Sequence, residues 1–149
     1  MVAGLKGEGK RLVFTNGCFD LLHVGHVCSL AEAKGLGDTL IVGLNSDGSV
    51  RRLKGEGHPL VPQEERAEVL AALEAVDYVV IFEEETAERL LSLLQPHLYV
   101  KGGNYTLDEL PEAPAVLRYG GEVRILSLTP GVSTSNLIDR LRAQLKKGG

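Results

Sequence analysis

Two histidines, His23 and His26, stand three residues apart near the start of this 149-residue chain. That spacing puts both imidazoles on one side of a helical turn. Gly25 leaves no side chain between them, so an anionic group can approach the backbone closely. The run Thr15-Asn16-Gly17-Cys18-Phe19 just before them is where an apolar strand breaks off. A helix starting there would aim free N–H groups and the positive end of its dipole at a ligand. Gly17 would permit a tight turn after the strand. Together these parts predict a cradle for a triphosphate. A zinc ion is the competing use, but it wants a third or fourth ligand. His58 and His97 are distant in sequence and Cys18 is the only nearby thiol, so no metal site is expected. Asp20 could orient a histidine or close a local turn, and the turn is favoured.

Four more polar clusters could join this site. Arg51, Arg52 and Lys54 form a basic run that could offset phosphate charge or simply be solvated. Arg66 could serve a phosphate or pair on the surface with Glu65 or Glu68. Lys101-Gly102-Gly103-Asn104 suits a nucleotide-contacting turn, or a plain loop. Ser133, Thr134 and Ser135 could cap a helix, bind phosphate oxygens, or both.

The elements that must position these residues alternate. Apolar runs at 11–16, 39–44, 78–82, 98–101 and 123–126 read as buried strands. Helical patterns follow at about 25–34, 62–73, 86–94, 111–119 and 133–147, with Pro62 at a first helical position and Thr86 as a cap. Residues 45–58 read as a loop or weak helix. Strand and helix alternate about five times. This predicts an α/β fold: a single Rossmann-like doubly wound domain with a five-stranded parallel sheet. Ligands in such sheets bind beyond the carboxyl ends of the strands, where strand order reverses, and the polar clusters lie at those ends. Residues 1–149 are expected to be one domain, with 1–10 as a flexible N-terminal segment.

Composition narrows the class. A formal net charge of -4 argues against a general nucleic-acid binder, which would carry a basic face. No apolar run reaches the ~18 residues of a membrane span, and Met1–Arg11 lacks the apolar core of a signal peptide. Cys18 and Cys28 are the only cysteines and form no C-x-x-C pair, which suits free thiols in a reducing cytosol. A cytoplasmic protein with no membrane or nucleic-acid partner is expected.

The pattern Gly17-x-Phe19-Asp20-x-x-His23-x-Gly25-His26 resembles the signature of the cytidylyltransferase-like nucleotidyltransferases. The likeness implies that a nucleoside triphosphate meets a phosphorylated small molecule, with release of pyrophosphate. It implies that His23 and His26 contact the triphosphate and stabilise charge at the α-phosphorus. It implies that Lys54 approaches the phosphates, with Arg51 or Arg52 as second candidates, and that Arg66 reaches toward the acceptor phosphate. Thr15, Asn16, Gly17, Cys18, Phe19, Gly25, Lys101, Gly102, Gly103, Ser133, Thr134 and Ser135 become nucleotide-binding candidates. Mg²⁺ would be held mainly through the nucleotide phosphates. Cys18 is not expected to act as a nucleophile.

A fuller likeness, from about Arg11 to Arg142, is to the adenylyltransferase domain of bacterial ADP-heptose synthesis. It rests on Asn45-Ser46-Asp47, Arg52-Leu53-Lys54-Gly55, Leu73-Glu74-Ala75-Val76-Asp77, Val100-Lys101-Gly102-Gly103 and Ser133-Thr134-Ser135-Asn136. It implies ATP and a heptose 1-phosphate as substrates, in a stand-alone form without a kinase domain. Some branches carry aspartate where Asn104 stands. Cytidylyltransferases commonly carry an arginine shortly before Gly131, where this chain has Leu128-Thr129-Pro130. Three alternatives stay open: a cytidylyltransferase acting on glycerol 3-phosphate or a similar polyol phosphate, a non-catalytic nucleotide-binding regulatory module, and an interaction domain. A homodimer is compatible with base rates.

Overall fold

The structure, a computed structural model, describes residues 2–103, 105–126 and 134–148. The elements run α1 (Val2–Gly7), β1 (Leu12–Gly17), α2 (Val24–Lys34), β2 (Thr39–Asn45), α3 (Asp47–Lys54), α4 (Gln63–Ala71) and β3 (Tyr78–Phe82). They continue with α5 (Glu88–Leu94), β4 (Leu98–Gly102), a 3-10 turn (Leu107–Glu109), α6 (Ala113–Arg118), β5 (Glu122–Leu126) and α7 (Thr134–Gly148). All strand pairs are parallel, in the order β3-β2-β1-β4-β5. The doubly wound sheet expected from the sequence is present, and order reverses between β1 and β4.

Side chains alternate across the sheet because a strand's period is two. Val13, Leu40, Val42, Leu98 and Val100 face one layer, where Leu30 and Ala33 of α2 and Leu70 of α4 cover them. Phe14, Ile41 and Tyr99 face the other, under Leu91 of α5 and Val116 of α6. All seven residues of β2 are buried, which is why its apolar residues run together without alternation.

The pairing that shapes the site is between β1 and β4. It comprises only Val13↔Leu98 and Phe14↔Tyr99, although β1 runs on to Gly17 and β4 to Gly102. The carboxyl halves of these strands part, and a crevice opens at the reversal point.

Several boundaries differ from the sequence reading. Val2–Gly7, inside the segment expected to be flexible, is a short helix. Residues 47–54, read as a loop or weak helix, form a regular helix. The Ser46 side chain accepts from the Ser49 N–H, Asp47 sits in the first turn, and Arg51, Arg52 and Lys54 fill the last. A side-chain cap and charges that oppose the dipole outweigh the glycine and polar content. Pro62 lies one position outside α4, as its N-cap. Thr86 does not cap α5. Ala87 holds the cap position, and the Thr86 hydroxyl bonds Glu88 Oε1 instead.

Gly43, in the middle of β2, is required by packing. A Cβ there would lie 2.6 Å from the Phe14 ring, and Phe14 is fully buried. Gly43→Ala is expected to lower unfolding stability by about 1–3 kcal/mol, read as a lower urea midpoint with an unchanged m-value.

Candidate active site

β1 delivers Thr15, Asn16 and Gly17 to the crevice, and β4 delivers Val100, Lys101 and Gly102. With Phe19, His26, Ser29, Leu30 and Leu126 they line a cavity of about 200 Å³. Sequence reasoning named Thr15, Asn16, Gly17, Phe19, His26, Lys101 and Gly102 for this place. It missed Ser29 and Leu30, which lie one helical turn beyond His26, and the apolar walls Val100 and Leu126.

The turn between β1 and α2 is built differently from the expectation for Gly17. The left-handed residue is Phe19, with φ 46°, a conformation a bulky side chain adopts at a cost. Gly17 is needed for another reason. A Cβ on it would come within 3.0 Å of the Phe19 ring, which folds back over it. That ring also leans on His26, with centroids 5.3 Å apart.

His23 and His26 cap their own helix. His23 is the N-cap of α2. Its Nδ1 accepts from the Gly25 N–H at 3.1 Å, and His26 Nδ1 accepts from the His23 N–H at 3.3 Å. The rings stack with centroids 4.0 Å apart. An Nδ1 that accepts a hydrogen bond cannot carry a proton, so each neutral ring has its hydrogen on Nε2. Burial pushes the His26 pKa down to about 4, helped by His23 and Lys54. Burial also lowers that of His23. Both rings are therefore neutral N–H donors near pH 7. His23 Nε2 is buried without a hydrogen-bond partner among the described residues. Such an orphan donor costs roughly 1–3 kcal/mol, which a ligand oxygen would recover.

Positive charge converges on the same turn despite the chain's net negative charge. Burial pushes the Cys18 thiol up, and the cations Lys54, Arg66 and Lys101 all pull it back. Lys54, from the last turn of α3, thus acts on both Cys18 and His26. A thiol with a raised pKa is a poor nucleophile, in keeping with a passive Cys18.

Arg66 is neither a surface residue nor exposed to the cavity. Its side chain is fully buried. Nε donates to Val61 O at 2.8 Å, and one terminal nitrogen donates to Cys18 O and Asn45 O. The other pairs with Asp47 at 2.8 Å. Its donors are taken by backbone carbonyls and Asp47 rather than by Glu65 or Glu68, and it borders a hollow with Phe19, Asp20 and Leu22. Arg52 is drawn off as well, donating to Glu83 O and pairing with Glu85 at 3.6 Å. Arg51 lines a separate hollow with Asp47, Glu56 and His58. Asp20 holds neither His23 nor His26, and the histidine beside it is His58, with Nδ1 3.9 Å from Oδ2. Both its oxygens accept from the Leu60 N–H, and one also from Val61, so it fastens the connection between α3 and α4.

Gly25 is buried in the first turn of α2. Gly103 has φ 136° and packs under Tyr105. Asn104 and Ser133 lie outside the described residues. Thr134 and Ser135 open α7, but their side chains are also outside them. Among the described residues no group of three or more His, Cys, Asp or Glu could hold a metal ion, and no helix is long and apolar enough to cross a membrane.

Residues 14–140 match the model of a family described as cytidylyltransferase-like. Among curated proteins, the bifunctional protein HldE of Geobacter sulfurreducens is 54% identical over 141 residues, 95% of this chain and 29% of the relative. The protein of the same name from Proteus mirabilis is 50% identical over 141 residues, 95% of this chain and 30% of the relative. The chain thus spans under a third of the length of these relatives. Among solved structures, the lipopolysaccharide core biosynthesis protein from Thermoplasma volcanium aligns with a TM-score of 0.67 and 28% identity, over 81% of this chain and 98% of that one. Pantoate-beta-alanine ligase from Francisella tularensis aligns with a TM-score of 0.57 over 87% of this chain and 65% of that one. At 14% identity it is a likeness of fold alone.

Arg66→Met keeps much of the volume but strands Asp47 and three carbonyls. It is expected to destabilise the protein by roughly 3–5 kcal/mol, measured by denaturant unfolding. A loss below about 1 kcal/mol would contradict the role given to this guanidinium.

Proposed function

The chain belongs to the cytidylyltransferase-like family, and on that footing we propose that it transfers the adenylyl group of ATP to a sugar 1-phosphate, a heptose 1-phosphate being favoured. The observation that carries this reading is the pair of self-capped histidines, with hydrogen on Nε2, beside the β1/β4 crevice. Such donors are pre-oriented for phosphate oxygens and need no reorganisation during reaction.

In this reading a phosphate oxygen of the acceptor attacks the α-phosphorus of ATP in line. The new P–O bond forms as the bond to the β-phosphate oxygen breaks, and pyrophosphate leaves with the electron pair. No protein nucleophile takes part. His23 and His26 donate to triphosphate oxygens and stabilise charge as it builds at the α-phosphorus. Lys54, which acts on Cys18 and His26, and Lys101, which lines the cavity, neutralise charge, and Thr15, Asn16 and the backbone at Gly17 and Gly102 position the nucleotide. Mg²⁺ would offset phosphate charge, held mainly by the phosphate oxygens and water because the site offers cations and N–H donors rather than carboxylates. Ser133, Thr134 and Ser135 would add contacts to the nucleotide. Arg51, which borders the separate hollow with Asp47, Glu56 and His58, is a basic candidate for the acceptor phosphate.

Adenine and a heptose phosphate are favoured by the likeness to ADP-heptose synthesis and by the identity to the HldE proteins. A neighbour named for lipopolysaccharide core biosynthesis also supports a sugar substrate. The missing arginine before Gly131 argues against CTP.

Pyrophosphate release measured with ATP or CTP against a panel of sugar and polyol phosphates tests the assignment. ATP with a heptose 1-phosphate is expected to be fastest, and CTP outperforming ATP with every acceptor would overturn it. His26→Ala is expected to lower turnover about 10²–10³-fold with the circular dichroism spectrum unchanged. Wild-type turnover in that variant would remove the histidines from the mechanism.

A further inference from the structure

Tyr99 is fully buried, yet its hydroxyl reaches a residue that lines the crevice. It sits in the last β1/β4 pair, Phe14↔Tyr99, where the strands part, and its ring stacks on Phe14 with centroids 6.1 Å apart. From there the hydroxyl donates to Asn16 Oδ1 at 2.6 Å. That distance suits O–H···O and is short for N–H···O, which decides the orientation of the Asn16 amide. Glu112, itself buried, is a second acceptor for the hydroxyl's single hydrogen at 3.4 Å, and the much shorter contact to Asn16 takes the larger share. Burial and the nearby Glu112 carboxylate keep the phenol protonated by raising its pKa, so it remains a donor.

Asn16 lines the cavity. With Oδ1 taken by Tyr99, the group it has left for a ligand is its –NH₂, a donor of two hydrogens. We propose that Tyr99 is a positioning residue: its hydroxyl locks the Asn16 amide so that the –NH₂ faces the cavity and donates to oxygens of the bound nucleotide. Without the lock, the ligand itself would have to order and turn the amide, and that ordering cost is subtracted from binding. The lock is set on the α5/α6 side of the crevice, opposite the histidines on α2, so the nucleotide is gripped by fixed donors from both layers. This inference rests on the nucleotide site described above but not on which group is transferred.

Equilibrium binding of Mg·ATP and Mg·CTP to the full chain, using whichever binds more tightly, tests it through a double-mutant cycle. Tyr99→Phe keeps the ring and removes only the hydroxyl. It is expected to weaken binding about tenfold. In an Asn16→Ala background the same change is expected to alter binding less than twofold, because nothing remains to position. An equal loss in both backgrounds, or no loss in either, would overturn the proposal, since a purely structural Tyr99 acts regardless of Asn16. If Tyr99→Phe does not fold, the wild-type Asn16 side-chain amide resonances serve instead. They are expected to shift on nucleotide addition, and unmoved resonances would overturn the proposal. Coupled binding with no pyrophosphate release from any acceptor would uphold the inference and reject the adenylyl-transfer reading.

Discussion

One buried guanidinium holds together the parts that make the site. Arg66 donates to the turn after β1, to the end of β2, to the start of α3 and to the entry of α4. The β1–β2 ladder stops at Gly17↔Leu44, just short of the carbonyls of these segments. Their carbonyls would otherwise point into a dry space, and an unpaired buried carbonyl is expensive. Only arginine offers several donors in a rigid plane with a charge that never titrates. Asp20 repeats the device with opposite polarity, using carboxylate oxygens to gather the N–H groups of Leu60 and Val61. The two side chains fix the α3–α4 connection against the turn between β1 and α2, and with it the end of α3 that carries Lys54.

The site is a place of donors in a protein whose total charge is negative. Lys54, Arg66 and Lys101 raise the local potential at Cys18. The histidines add neutral N–H groups and α2 its free amides. Such a combination suits a ligand that brings more negative charge than the protein could hold alone. The family membership and the opening between β1 and β4 agree with it.

The sheet was legible because buried strands write themselves as uninterrupted apolar runs. Val13, Val42 and Val100 needed no context to be recognised. The His-x-Gly-His turn was legible in its geometry: the i, i+3 spacing at a strand-to-helix turn puts both rings on one side, where they stack. Arg66 was not legible. Glu64 and Glu65 beside it suggest a solvated face, and only the fold brings Cys18 O and Asn45 O to it. The helix at 47–54 was hidden by two features that compete with propensity, a serine cap and dipole-matched charges. Phe19 was misread through Gly17, because chemistry assigns positive φ to glycine by default and here the aromatic ring takes it. Ser29, Leu126 and Tyr99 enter the site only through tertiary placement.

The mutual capping of His23 and His26 sets proton uptake against helix order. The lone pairs that close the first turn of α2 are the ones a proton would need at Nδ1. An imidazolium in either position would release a backbone N–H and loosen the start of the helix. The two rings can thus offer hydrogen to a phosphate through Nε2, but they cannot relay a proton through the ring without undoing the turn that aims them. The helix end enforces a single tautomer, and in doing so it restricts this pair to holding charge rather than moving it.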